Sequence, residues 1–438
     1  MKSLTSLLSI TVLGFGLFGC AAKEEVPIAN TAAAAPYGVV GIAYSETLAT
    51  TCSTVPLPWT VSSGALPTGV SFVGTTGVVD GTPNVAGNFT VVFAGTDSTG
   101  KTENCAVSFV VHPRTDRVSV DTFGSSVAGA VNKEPTISSV DGRFIAFTSI
   151  PSFTGAALIA GVAGPQILLH DRQTGQPSLI SKDNFGSAGI GGASSAASIS
   201  ADGRFIAFVS TATNLVPGVT GQQVYLHDRQ TSPAFPNGKT TLVSKDGAGN
   251  PASATGFSSL SNTLPRISAD GRYIAFVSTA MNLAPGLSGQ QIGQQIYLHD
   301  TQLLPNGQTT LASKDGSGFP ASTTTLPSLS NTSPTISADG QFIAFVSTAT
   351  NLVPGVLSGP QVYRHDTQTS PSFPFGQTIV VSKNEAGTPV SVPISTINPP
   401  APVVAANGAF VAFASSANNL VTTPPSAAVS DIYVRAIP

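Results

Sequence analysis

Charge is the scarcest thing in this chain: Asp, Glu, Lys and Arg make up 9% of 438 residues, and the formal net charge is −3. No basic face is available for nucleic acid, and no polybasic patch for an anionic membrane surface. Cysteine occurs three times, methionine twice and tryptophan once. Long apolar segments of helical period are missing beyond the N-terminus. Gly-x-Ser-x-Gly, His-Glu-x-x-His and phosphate-cradling glycine loops are also absent, so no familiar hydrolase, zinc peptidase or nucleotide chemistry announces itself. What is plentiful is Gly (44) and Pro (33), set between short β-branched and aromatic runs. That is the composition of an all-β protein rich in turns.

Met1-Lys2 followed by the apolar Leu4 to Phe18 has the charged start and apolar middle of an export signal. The run ends Leu17-Phe18-Gly19-Cys20, which resembles the lipobox of bacterial lipoproteins. The resemblance implies a signal peptide over 1–19 and a lipid-modified Cys20, whose several acyl chains would anchor the protein stably. With Ala21 next, it also implies an outer-membrane address, periplasmic or surface-facing. Residues 20–35 then read as a lipid-anchored tether, Ala-rich and too featureless to build a core.

Residues 36–113 change character. Short strands are expected at Gly38 to Tyr44, Trp59 to Val61, Val70 to Val73, Phe89 to Phe93 and Ala106 to Val111, separated by turn residues as in a β-sandwich. The segments Gly64-Ala-Leu-Pro-Thr-Gly-Val-Ser-Phe72, Thr76-Gly-Val-Val-Asp-Gly-Thr-Pro83 and Ala86-Gly-Asn-Phe-Thr90 resemble the immunoglobulin-like modules of bacterial surface proteins. With Cys20 lipidated, Cys52 and Cys105 are left to form a disulfide in an oxidising compartment, or to remain a pair of free buried thiols. The bridge would close a loop of 53 residues and add roughly 4 kcal/mol on the chain-entropy account.

The remainder, 114–438, is organised by a repeat. Ser198-Ile-Ser-Ala-Asp-Gly-Arg-Phe-Ile-Ala-Phe-Val-Ser210 recurs at Thr136 to Ser149, Arg266 to Ser278, Thr335 to Ser347 and, worn, Val403 to Ser415. Its turn glycines (142, 203, 271, 340, 408) are spaced 61, 68, 69 and 68 residues apart. Each unit reads as four strands: Ile-Ser, an Asp-Gly hairpin, Phe-Ile-Ala-Phe-Val-Ser, then a third strand (Gln223 to Asp228 and its copies) and a fourth (Thr241 to Ser244 and its copies). Four antiparallel strands make one propeller blade. The fifth unit stops after its third strand at Tyr433, while residues 117–121 look like a fourth strand without a blade. The expected fold is therefore all-β, a small Ig-like β-sandwich plus a five-bladed β-propeller closed by that N-terminal strand.

The repeat resembles TolB-type, WD40-like (PD40) propellers, which share the Ser-x-Asp-Gly-x-x-Ile-Ala-Phe core. That architecture serves scaffolds, receptors and enzymes alike. Relatives commonly carry an acidic loop after the second strand. Here those loops read Asn214-Leu-Val-Pro-Gly, Asn282-Leu-Ala-Pro-Gly and Asn351-Leu-Val-Pro-Gly without the following aspartate, so no cation role is assigned to them.

His170, His227, His299 and His365, each followed by an aspartate, are metal-ligand types. They recur at one point of separate blades, so they are read as structural, with Asp171, Asp228, Asp300 and Asp366 capping the next turn. Asp141, Asp202, Asp270 and Asp339 are hairpin residues. Lys182, Lys245, Lys314 and Lys383 are read as protecting outer strand edges. Phe235, Phe373 and Phe375, among prolines in the third-to-fourth hairpins, are the candidate partner-binding residues. No catalytic residue, cofactor or metal is expected. The function implied is a lipid-anchored cell-envelope binding or scaffold protein, joined to the membrane through Cys20 and using a propeller face to hold a protein or glycan. The alternative is a hydrolase or lyase acting on cell-wall or extracellular polysaccharide. A pocket lined by two carboxylates, or by His and carboxylate, would favour the second.

Overall fold

The computed structural model describes residues 33–34, 38–47, 58–96, 102–152, 155–253, 260–285, 287, 293–303, 306–322, 330–356, 359–390, 401–417, 419–421 and 430–437. Cys20, Cys52, the export signal and most of the tether lie outside them. The chain divides into two compact units, Met1–Thr115 and Asp116–Pro438.

The first unit is a sandwich. One sheet holds Trp59–Gly64, Gly87–Thr96 and Thr102–His112, with Ala33–Ala34 and Gly38–Val39 both running parallel to Thr102–His112. The other holds Tyr44–Thr47, Val78–Gly81 and Val70–Val73. Trp59, Val79, Val91, Phe93, Val107 and Phe109 fill the space between them. The run Gly38 to Tyr44, expected as one strand, is split between the two sheets. It breaks at Gly41, whose φ of +75° ends the extended backbone, and Ile42 N donates to Val39 O (3.0 Å) to close the turn. Cys105 is buried and disulfide-bonded. In a module with so small a core, Cys105→Ser is expected to cost about 2–5 kcal/mol. A lower urea midpoint for the tryptophan signal of Trp59, the chain's single tryptophan, checks this.

The second unit contains five antiparallel sheets in chain order. Four have four strands: Val131–Ile137, Phe144–Ile150, Gln166–Asp171 and Gln176–Leu179; then Ser194–Ile199, Phe205–Ser210, Gln223–Asp228 and Lys239–Leu242; then Asn262–Ile267, Tyr273–Ser278, Gln295–Asp300 and Gln308–Leu311; then Asn331–Ile336, Phe342–Ser347, Gln361–Asp366 and Gln377–Val380. The fifth has three: Val403–Val404, Phe410–Ser415 and Asp431–Ala436. Strands two and three of each internal sheet are buried on both faces, which is why they read as unbroken apolar runs. Ala207, Val209, Val224 and Leu226 face the third sheet, while Ile206, Phe208 and Tyr225 face the first. The same alternation joins the third sheet to the fourth and the fourth to the fifth.

An all-β chain with an Ig-like sandwich and five blade-like sheets is what the sequence leads one to expect. The closing strand, expected as well, is not found among the described residues. Residues 117–121 form no strand with Asp431–Ala436. Val118 and Val127 pack instead on the first sheet with Ile145, Phe147, Leu158 and Leu168. Asp116 pairs with Arg172 (3.8 Å), and Thr122 O accepts from Gln176 Nε2 (3.5 Å). Apolar burial holds the segment there: Val118 fills against the first sheet the place that Val243, just beyond the second sheet's fourth strand, fills against the third. No hydrophobic cluster among the described residues joins the fifth sheet to the first.

Candidate functional site

The innermost strands are the natural place for a site, because they line the middle of the sheet array and those of the first four sheets are kinked. Two residues of the first strand oppose one of the second in each of the first four sheets, giving register shifts around Glu134, Ala196, Leu264 and Ser333. All four have positive φ, between 51° and 56°. A non-glycine residue held there costs on the order of 1–3 kcal/mol, and a bulge of this kind re-aims backbone and side chains. Three of the four are followed by proline (Pro135, Pro265, Pro334). Proline inside a strand was the available sequence signal for the bulge.

The bulges of the first three sheets enclose a pocket of about 320 Å³ lined by Glu134, Pro135, Thr136, Ala196, Ala197, Ser198, Leu264 and Arg266. Glu134 Oε2 accepts from Ala196 N (3.0 Å) and from Thr148 Oγ1 (2.9 Å), tying the first sheet to the second. Partial burial works to raise its pKa, but these hydrogen bonds and nearby Lys133 outweigh it and hold the carboxyl below the usual range. Arg266 donates to Pro265 O (2.9 Å), and burial lowers its pKa. Among the described residues no carboxylate is paired with it. The pocket thus offers one ionised carboxylate and one guanidinium. An acid or base for catalysis needs a pKa moved towards neutrality, and Glu134 is moved the other way. The arrangement suits recognition of a polar ligand.

The histidines are used elsewhere. His227 Nδ1 lies 2.9 Å from Thr240 Oγ1, and that hydroxyl donates to Lys182 O of the preceding sheet (2.5 Å). His299, Thr309 and Lys245 O repeat the latch, as do His365, Thr378 and Lys314 O. Burial, aided by the neighbouring lysine, lowers the imidazole pKa to about 3 at His227, about 4 at His299 and about 3 at His365. In the first sheet the threonine position is Pro177, and in the fifth Arg435 reaches Lys383 O directly (2.6 Å). Lys182, Lys245 and Lys314 are half-buried between sheets, with pKa values lowered by burial. They sit in the sheet-to-sheet contact, a correction to their reading as guards of free outer edges.

The aspartates after the histidines do cap the next turn: Asp171, Asp228, Asp300 and Asp366 accept from the backbone N of Gln173, Gln230, Gln302 and Gln368. They also do something the sequence reading missed. Arg143, Arg204 and Arg272, one residue beyond the turn glycines, make two-pronged pairs with Asp171, Asp228 and Asp300 at 2.6–2.9 Å. The Asn-Leu-x-Pro-Gly loops are structural as well. Asn214 holds Ile190 N and Ala188 O, and Asn282 and Asn351 hold the matching atoms of their own connections.

Phe235 is half-buried under Lys239 (5.0 Å to the ring), and Phe373 and Phe375 are exposed. They lie on the second and fourth sheets and are not brought together. Phe375 rests on Gly318 of the third sheet's connection. Phe235 contributes to a groove of about 410 Å³ with Phe185, Asn184, Leu215 and Asn237.

Residues 26–112 match the Putative Ig domain family. That span is the sandwich and does not reach the repeats. No curated protein matches the chain. Among solved structures, a study of two prolyl endopeptidases covers 87% of this chain and 42% of that one at 11% identity, with a TM-score of 0.37. The periplasmic gluconolactonase PpgL of Pseudomonas aeruginosa covers 82% and 83% at 12% identity, TM-score 0.33. Dipeptidyl peptidase 4 of Porphyromonas gingivalis covers 86% and 51% at 12%, TM-score 0.30. The chain thus spans less than half the length of the prolyl endopeptidase.

Proposed function

We propose that this is a lipid-anchored protein of the bacterial outer membrane that binds a protein or glycan, with TolB-like, WD40-like sheets as its scaffold. The observation that carries the binding reading is where the reactive side chains go. His227, His299 and His365 are locked between sheets, and Asp171, Asp228 and Asp300 are committed to arginines. The innermost pocket keeps a single, firmly ionised Glu134 beside Arg266. Polysaccharide hydrolysis by the usual route needs two carboxylates flanking one bond, and the described residues bring no second carboxylate to this pocket. The polar pocket and the groove beside Phe235 are the two surfaces offered to a partner.

The test is capture from envelope fractions with the Cys20→Ser protein, comparing it with a version in which Glu134→Gln and Arg266→Gln are combined. A partner held by the first and lost, by at least tenfold in Kd, from the second supports the pocket as its site. Turnover of envelope polysaccharide by the unaltered protein would overturn the reading. The anchor makes its own prediction. Labelled fatty acid is expected on the wild-type protein, and Cys20→Ser should abolish the label and move the protein from the detergent to the aqueous phase. Label persisting in Cys20→Ser would refute it.

A further inference from the structure

The repeated sheets act as controls on one another: a side chain that one of them carries and its equivalents lack is not demanded by the sheet itself. The innermost strands of the first four sheets share one register, so their residues can be compared directly. At the bulge stand Glu134, Ala196, Leu264 and Ser333, and at the first paired position beyond it Thr136, Ser198, Arg266 and Thr335. Charge enters each series once, as Glu134 and as Arg266. Both exceptions line the same pocket of about 320 Å³.

Glu134 has a use within the protein. Its carboxylate crosses to the second sheet and accepts from the bulge N–H of Ala196 (3.0 Å). One sheet further on, the residue equivalent to Glu134 is Ala196, whose methyl group can neither reach across nor accept a hydrogen bond. Among the described residues no side chain accepts from Leu264 N, the matching bulge N–H of the third sheet. Arg266 stands two residues from it, half-buried. A guanidinium carries five N–H donors; the one bond Arg266 makes is to Pro265 O (2.9 Å). Its equivalent Ser198 is used, accepting from Ile267 N (3.2 Å) across the sheets. A cation withdrawn from water with no counter-ion is unfavourable unless something else supplies the charge.

Resting on the reading of this pocket as a binding surface, we propose that it takes the C-terminal carboxylate of a peptide or protein chain, held by Arg266 and by Leu264 N where Glu134 sits one sheet earlier. A carboxylate is what the protein itself sets against this kind of bulge, and an arginine fork matches its two oxygens. A chain end suits the pocket better than a run of acidic sugars. There is one cation to meet one acid group, and Glu134, ionised on the first sheet, repels a second acid and attracts a donor such as a peptide N–H. The volume lies at the small end of the range for ligand pockets, room for a terminus and not for a polymer passing through. Pro135, Ala197 and Leu264 offer the last side chain an apolar wall.

The test is equilibrium dialysis of the full chain with Cys20→Ser against N-acetylated tripeptides, random at all three positions, read by mass spectrometry. Peptides with free C-termini should be retained at least tenfold more than the same set amidated, and Arg266→Gln should remove that preference. Ala196→Glu should remove it too, because the new side chain repeats Glu134 and satisfies Leu264 N from within. The backbone there already has φ +54°, beside +56° at Glu134, so the variant should fold with a urea midpoint no lower than its parent's. Acid and amide retained alike, or a preference undiminished in folded Ala196→Glu, overturns the proposal. Digalacturonate retained ahead of the peptides also overturns it, in favour of an acidic glycan. A partner captured from envelope fractions through Glu134 and Arg266, by a protein that ignores the tripeptide acids, refutes the carboxylate site and leaves the broader binding reading standing.

Discussion

Gly271→Val is expected to destabilise this protein by about 4 kcal/mol, read as a lower urea midpoint with an unchanged slope. Two costs combine. The backbone at Gly271 has φ +76°, a conformation that costs a β-branched residue roughly 1–2 kcal/mol or more. A Cβ there would also lie 2.2 Å from Cδ2 and 2.6 Å from Cγ of Phe205. The ring has little room to retreat, since Arg204 sits 4.5 Å over it. Forcing the two sheets apart forfeits packing worth a further 1–3 kcal/mol, roughly the overpacking penalty of a filled core. Gly218→Val is the control: φ is +77°, but nothing lies within 4 Å of its Cβ position. It should show the backbone cost alone. Equal losses at the two sites would mean that the aromatic contact does not hold the sheets together.

That contrast also marks how far the sequence could be read. Asp270-Gly271 was legible as a hairpin turn, because turn chemistry is local and the residue types state it. The second demand on Gly271, to leave room for a ring 66 residues earlier in the chain, is tertiary and leaves no local trace. The same division runs through the site. The period, the strand runs and the capping aspartates are local patterns and were all readable. The latch from His299 through Thr309 to Lys245 O joins two strands of the third sheet to the segment that follows the second sheet's last strand, and only the assembled stack reveals it. Glu134 and Arg266 were missed because a bulge, not a motif, aims them; Pro135 and Pro265 were the hint. The misreading of residues 117–121 has the same root. Their resemblance to a fourth strand was real, as the Asp121 turn shows. Resemblance says which kind of neighbour a segment wants, not which sheet supplies it.

Acid should unfold the repeat unit well before its carboxylates titrate. His227, His299 and His365 are neutral when folded, with pKa values lowered to about 3, about 4 and about 3. Unfolded, each takes a proton near pH 6.5. Below that value the unfolded chain binds more protons than the folded one, so stability falls as pH falls, and the loss runs from about pH 6.5 down to the folded values. Each histidine contributes a slope of about 1.4 kcal/mol per pH unit, and three together about 4 kcal/mol per unit while all are in range. Asp171, Asp228 and Asp300, whose carboxyls burial would raise but arginine pairing holds low, act in the same sense but lower on the pH scale. Their contribution is complete above about pH 4 and is lost only below it. Urea midpoints measured between pH 7.5 and pH 4.5 should therefore drop steeply, and His227→Gln should flatten the drop by about a third. A stability constant across that interval would mean the imidazoles are charged or solvated in the folded protein, and the latch between neighbouring sheets would not be what holds them.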